Sequence, residues 1–203
     1  RIARYLGWHI LDSGALYRLA ALGAIRAEIA LDDIQQLSEL ARNLDVEYKI
    51  EGEAVMTTLG GEDVGETIRN ERVGGAASII AALPEVRAAL LQRQRDFARA
   101  PGLVADGRDM GTTLFPEAEL KLFLTATAEI RAQRRYKQLK QKGIDANLAD
   151  LAEEIAQRDE RDASRSASPL KAAADAVVID TSDLDINGVC DRVIALIPHH
   201  LLP

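Results

Sequence analysis

The sequence predicts an α/β fold, a parallel sheet flanked by helices with a small antiparallel sheet inserted. Three observations carry that expectation. Short apolar runs such as 103–105 and 176–179 are separated by helical stretches, the rhythm of a parallel sheet. Between residues 46 and 64 the pattern changes to alternation broken by glycines, the mark of an antiparallel meander. The chain has 203 residues, 47% of them hydrophobic, which suffices for one α/β core with one insertion.

In chain order, Arg1 to Leu6 reads as the end of a helix stopped by Gly7. Trp8-His9-Ile10-Leu11 is a short buried strand, closed by Asp12-Ser13-Gly14. Ala15 to Glu28 follows as a helix with Leu16, Leu19, Ala20, Leu22 and Gly23 toward one side. Leu31-Asp32-Asp33 caps another helix through Leu44. Val46, Tyr48 and Ile50 then alternate with charged residues. Gly52 turns the chain into Val55 to Leu59, and Gly60-Gly61 turns it again before Glu62 to Val64. Thr67 to Ile80 is irregular, then helical. Pro84 stands in the first turn of a long helix ending near Arg99. Pro101-Gly102 restarts the α/β rhythm with strands at Leu103-Val104-Ala105 and Leu120 to Thr125. A basic helix from Ala128 to Lys142 ends at Gly143, and another runs from Asn147 to about Arg165. Ala176 to Ile179 is the last strand and Ile186 to Leu196 the last helix. Such a sheet binds ligands at the carboxyl ends of its strands.

Composition narrows the function. The net charge is −7, which argues against a general nucleic-acid binder, whose affinity comes from neutralising many phosphates. Yet 19 of the 25 basic residues are Arg, the fork-shaped side chain suited to bidentate phosphate contacts. The single Cys190 excludes a disulfide framework within the chain and a cysteine metal cluster. His9, His199 and His200 have no metal-ligand spacing, so no protein-held metal is expected. No apolar stretch reaches membrane-spanning length and no signal peptide is seen, so a soluble cytoplasmic protein, without membrane or nucleic-acid partners, is expected.

Three constellations carry chemistry. In Leu11-Asp12-Ser13-Gly14-Ala15-Leu16-Tyr17-Arg18 a strand runs into a helix whose first N–H groups and dipole favour an anion, with Arg18 one turn away. The plainer reading is an ordinary N-cap with a surface arginine. In Val104-Ala105-Asp106-Gly107-Arg108-Asp109-Met110-Gly111-Thr112 two acids flank an arginine beside two glycines at a strand end. Arg108 offers a phosphate fork and Asp109 an acceptor for an exocyclic amine. The third is Arg158-Asp159-Glu160-Arg161-Asp162-Ala163-Ser164-Arg165, in which Arg158, Asp162 and Arg165 share one helix face. Upstream, Arg131 to Lys142 holds six basic residues and no acid, a cluster suited to a polyanion or simply to solvent. Together these describe a site for a ligand with several phosphates and a polar ring, and phosphoryl transfer is the expected reaction.

These stretches, with Glu85-Val86-Arg87 and its helix, resemble those of bacterial cytidylate kinases, nucleoside monophosphate kinases, and the similarity covers essentially the whole chain. The resemblance implies a P-loop NTPase-type parallel sheet. Its core would comprise 1–14, 80–130 and 154–203, with a monophosphate-binding arm at 15–79 holding the three-stranded insert and a helical lid at 131–153. It implies transfer of a phosphoryl group from ATP to CMP or dCMP, with Mg2+, by a monomer. Ser78, Arg87 and Asp109 would read the cytosine, Arg158 and Asp162 would hold the sugar, and Arg18, Arg108 and Arg165 the phosphates. Ser13, Tyr17 and Asp106 would complete the substrate site. Arg131, Arg134 and Arg135 would close over ATP, and Arg108, Arg134 and Arg165 would act on the transferring group. One feature departs from the family: no G-x-x-x-x-G-K-[ST] motif occurs in these residues. A strand and loop of roughly 15–20 residues are expected before Arg1. The open alternatives are another nucleoside monophosphate kinase and a non-catalytic nucleotide-binding fragment.

Overall fold

The computed structural model describes residues 1–52, 54–141, 143–164 and 170–202, the side chains of Glu51, Arg158 and 161–164 excepted. A short helix α1 (Ile2–Leu6) ends at Gly7, whose φ of 67° is the left-handed conformation glycine adopts without strain. Strand β1 (His9–Asp12) runs directly into α2 (Ser13–Arg26), and Asp12 caps that helix by accepting from Ala15 N at 2.8 Å. The sequence alone suggests three turn residues here. The cap makes them unnecessary, because Asp12 closes the strand and Ser13 already belongs to the helix. Helix α3 (Ile34–Arg42) is capped by Asp33 and stops two residues earlier than expected, where Asn43 bonds back to Glu39 O.

The insert forms as expected. Strands β2 (Val46–Glu51), β3 (Ala54–Leu59) and β4 (Glu62–Asp63) make an antiparallel sheet in that order. A 3₁₀ turn at Thr67–Arg69 leads to α4 (Glu71–Ile80), capped by Asn70, and α5 (Pro84–Arg95) begins with its proline. Helix α5 ends four residues short of Arg99, because the chain tightens into i→i+3 bonds at Phe97 and Ala98. Strand β5 (Leu103–Asp106) pairs in parallel with β1, in a register that sets Asp12 opposite Asp106. The Asp-Gly-Arg-Asp stretch that follows leads into a wide π-helical turn, Met110–Leu114.

Beyond it come β6 (Leu122–Thr125), α6 (Ala128–Gln141), α7 (Leu148–Ser164), β7 (Val177–Asp180) and α8 (Ile186–Ile194). Strands β6 and β7 pair in parallel. The parallel strands are thus described as two two-stranded sheets rather than one. The chain divides into two compact units, Arg1–Met110 and Gly111–Leu202. In the first, the apolar side of α2 (Leu16, Leu19, Ala20) packs with Leu37, Ile80 and Leu90 into the main core. That burial removes several large side chains from water, at about 1.5–3 kcal/mol each. In the second, Leu114, Ala132, Ile179 and Val193 are the buried apolar residues among those described.

Candidate functional site

The sheet ends of the first unit gather the first two constellations. At the β1–α2 corner Ser13 is buried and donates to Gln94 Oε1 at 2.6 Å, while Tyr48 donates from the arm to Asp12 O at 3.1 Å. Gly107 presses on the same corner. A Cβ there would stand 2.9 Å from Ser13 Cβ and 2.8 Å from Met110 Cε, so only glycine lets β5 and α2 approach this closely. Arg18, one turn into α2, is half-buried. It donates to Ile68 O at 2.8 Å and lies against Gly74, where a Cβ would meet its guanidinium at 3.1 Å.

Arg87 and Asp109 are the central pair of this unit. Arg87 Nη2 donates to Asp109 Oδ2 at 2.5 Å, with side chains only 16% and 8% exposed. The guanidinium also lies 5.9 Å from the centre of the Tyr17 ring, a cation–π contact. Helices α5 and α2 and the loop after β5 each contribute one member. The pair is deep enough that removing one partner would leave an uncompensated charge, at a cost of about 3–5 kcal/mol. Asp106, next to this loop, keeps one exposed edge but is hemmed in by protein elsewhere. Burial pushes its carboxyl above the usual range and the neighbouring Asp12 adds to the rise, against a smaller opposing pull from Arg108 and the Gly107 N–H. Burial likewise raises the Tyr48 hydroxyl, so it stays a neutral donor. Ser78 is half-buried on α4.

In the second unit the arginines of α6 are committed to protein partners. Arg131 forms a two-pronged pair with Asp159 of α7, Nη1 at 2.9 Å from Oδ1 and Nη2 on Oδ2. Arg134 donates to the carbonyls of Thr181, Ser182 and Leu184 and to the Thr181 hydroxyl, capping the turn after β7. Arg135 is half-buried on the same helix. Arg158 and Asp162 lie on α7, but their side chains, like Arg165 as a whole, lie outside the described residues.

The structure therefore brings Ser13, Tyr17, Arg18, Arg87, Asp106 and Asp109 into one unit with Arg108 and Ser78, and places Arg131, Arg134 and Arg135 in the other. Sequence reading misses Gln94, Tyr48 and the partner role of Asp159. Gln94 has a signal: it continues the stripe of Val86 and Leu90, the buried face of α5, where an apolar residue is expected. Among the described residues no three His, Cys, Asp or Glu side chains converge on a metal-sized site. No single described helix is long and apolar enough to cross a membrane.

A buried arginine–carboxylate pair beside an anion-favouring corner, on a parallel α/β core with an antiparallel arm, suits the class of nucleoside monophosphate kinases. The comparisons narrow that class. The family model described as "Cytidylate kinase" matches residues 1–199. The cytidylate kinase of Aeromonas salmonicida is 56% identical over 194 residues, 96% of this chain and 84% of the relative. That of Shewanella denitrificans is 54% identical over 195 residues, 95% of this chain and 86% of the relative. That of Photobacterium profundum is 52% identical over 200 residues, 98% of this chain and 88% of the relative. The chain belongs to the cytidylate kinase family, and it is an enzyme of the phosphotransferase class.

Proposed function

We propose that this chain transfers the terminal phosphoryl group of ATP to CMP or dCMP, giving ADP and CDP or dCDP, in the cytoplasm and as a monomer. The observation that carries the acceptor is the buried Arg87–Asp109 pair. Cytosine presents an amine donor beside ring-nitrogen and carbonyl acceptors. Asp109 accepts from the amine and Arg87 donates to an acceptor, with Ser78 on α4. Uracil has a carbonyl in place of the amine and would leave Asp109 facing an acceptor, which disfavours it. Tyr17 supports Arg87 through its ring. Arg18 and Arg108, with Arg165, would hold the monophosphate, and Arg158 and Asp162 the sugar. Asp106 and Ser13 shape the corner between them.

Arg131, Arg134 and Arg135 would face the ATP phosphates, with Arg134, Arg108 and Arg165 stabilising the transferring group. Arg131 and Arg134 are held by Asp159 and by the carbonyls after β7. Engagement of ATP would exchange those bonds for phosphate oxygens, which makes closure of 131–153 a trade between partners rather than the ordering of unbonded side chains. Mg2+ would arrive on the phosphates, since that ion is bound through few protein groups plus substrate oxygens. It would neutralise phosphate charge there.

A coupled ADP assay with CMP, dCMP, UMP and AMP tests the reading, with CMP and dCMP the expected acceptors. Preferential turnover of AMP or UMP would overturn it. In Asp109→Asn the side chain gains an N–H donor for the uracil carbonyl. The preference for CMP over UMP should then fall by about tenfold or more.

A further inference from the structure

Helix α5 buries Val86, Leu90 and Gln94, one residue every four positions, and the third is polar. Gln94 is 1% exposed, and a buried amide is costly unless bonded. Two bonds answer for it: its Nε2 donates to Leu90 O at 3.3 Å, and its Oε1 accepts from Ser13 Oγ at 2.6 Å. The carbonyl of Leu90 decides which way the amide faces, because turning it over would set two acceptors against each other. With the amide so fixed, the Ser13 proton is committed to Gln94. Ser13 is itself only 4% exposed. Its hydroxyl is therefore placed for bracing rather than for donating to an incoming phosphate.

The brace joins two halves of the acceptor site. Seven residues before Gln94, on the same helix, stands Arg87, roughly 10 Å away along the axis. Residues at this spacing share a helix face. One end of α5 thus holds the pair that faces the base, and the other holds the β1–α2 corner from which Arg18 extends. Sliding α5 against α2 would change the distance between base reader and phosphate corner.

We propose that Gln94 is a positioning residue for the nucleoside monophosphate, acting through Ser13. This rests on the acceptor reading above. In calorimetry and steady-state kinetics, Gln94→Leu should weaken CMP about three- to tenfold, the range of one net hydrogen bond. The Michaelis constant for ATP should stay within about twofold, and the melting temperature should fall modestly, because the buried Ser13 hydroxyl loses its acceptor. Ser13→Ala should weaken CMP similarly, and the double variant no further than the weaker single one. Gln94→Met serves as a second probe should Gln94→Leu fold poorly. Unchanged CMP affinity in a folded Gln94 variant, equal losses for CMP and ATP, or additive losses in the double variant would overturn the brace alone. A wild-type protein that binds no CMP would overturn the acceptor reading and this role with it.

Discussion

Asp106 is held in the site against its own charge. Its carboxyl binds a proton more tightly in the folded protein than in the unfolded chain, first because of partial burial and then because Asp12 stands opposite it across the strand pair. A group raised in this way favours folding fully in acid, below the ordinary carboxylate range. That contribution is lost as pH rises through the raised value. Ionisation of Asp106 therefore opposes folding, modestly so because the side chain still meets water. Asp106→Asn should melt higher than wild type near pH 7, and the gap should close toward pH 4. Thermal melts across that range decide it; a constant gap, or a variant less stable at neutral pH, would contradict the assignment. Asp106 and Asp109 were legible in the sequence because two acids flank an arginine beside glycines at a strand end, whereas Arg87, on helix α5, was legible only through the family resemblance. Gln94 was not. Its importance comes from sitting on the apolar face of α5, and only the packing of that face against Ser13 reveals the partner.

At the scale of elements, the order of helices and strands was readable because caps and glycines punctuate it. Asp33, Asn70 and Asp185 each accept from a first-turn N–H, as their residue types suggest. What was not readable was where a strand hands over to its helix. At Asp12 one side chain both ends β1 and caps α2, so the turn disappears. Gly102 shows how tightly the strands are seated. A Cβ on it would lie 2.4–2.7 Å from the Trp8 indole, which leads into β1, while its carbonyl accepts from His9 N at 2.9 Å. The ring cannot move aside without disturbing the first rung of the β1–β5 pair. Gly102→Ala should cost about 1–3 kcal/mol, which lowers the melting midpoint by roughly 2–12 °C in a chain of this size. Trp8 is the chain's one tryptophan, so its emission should shift as well. Gly75 is the control. It lies in α4 with nothing within 4 Å of an added Cβ, and Gly75→Ala should be neutral or stabilising by up to about 1 kcal/mol. Equal effects at the two glycines would mean that the indole contact does not matter.

Over the whole molecule the charge has two faces. The chain carries −7 overall, yet 19 arginines, and those described at the candidate sites are bound into the protein. Arg87 is paired with Asp109, Arg131 with Asp159, Arg18 with the Ile68 carbonyl and Arg134 with three carbonyls after β7. Cations held this way do not form the continuous basic stripe that a phosphodiester backbone needs. A mononucleotide needs only a few of them at fixed positions. Arg18 and Arg87 should therefore serve CMP, and Arg131 and Arg134 ATP, while giving oligonucleotides no foothold. A fluorescently labelled single-stranded DNA of about 20 nucleotides should show no anisotropy change at ~0.15 M salt with protein well above ~10 μM, a concentration that reveals ordinary non-specific binders. Lowering the salt should not rescue binding, because net repulsion from the acidic chain grows as screening weakens. Retention of the DNA, tightening steeply as salt falls, would show that the arginines act as a surface rather than as separate sites. It would place the charge balance, and not the bonding of each guanidinium, in need of another explanation.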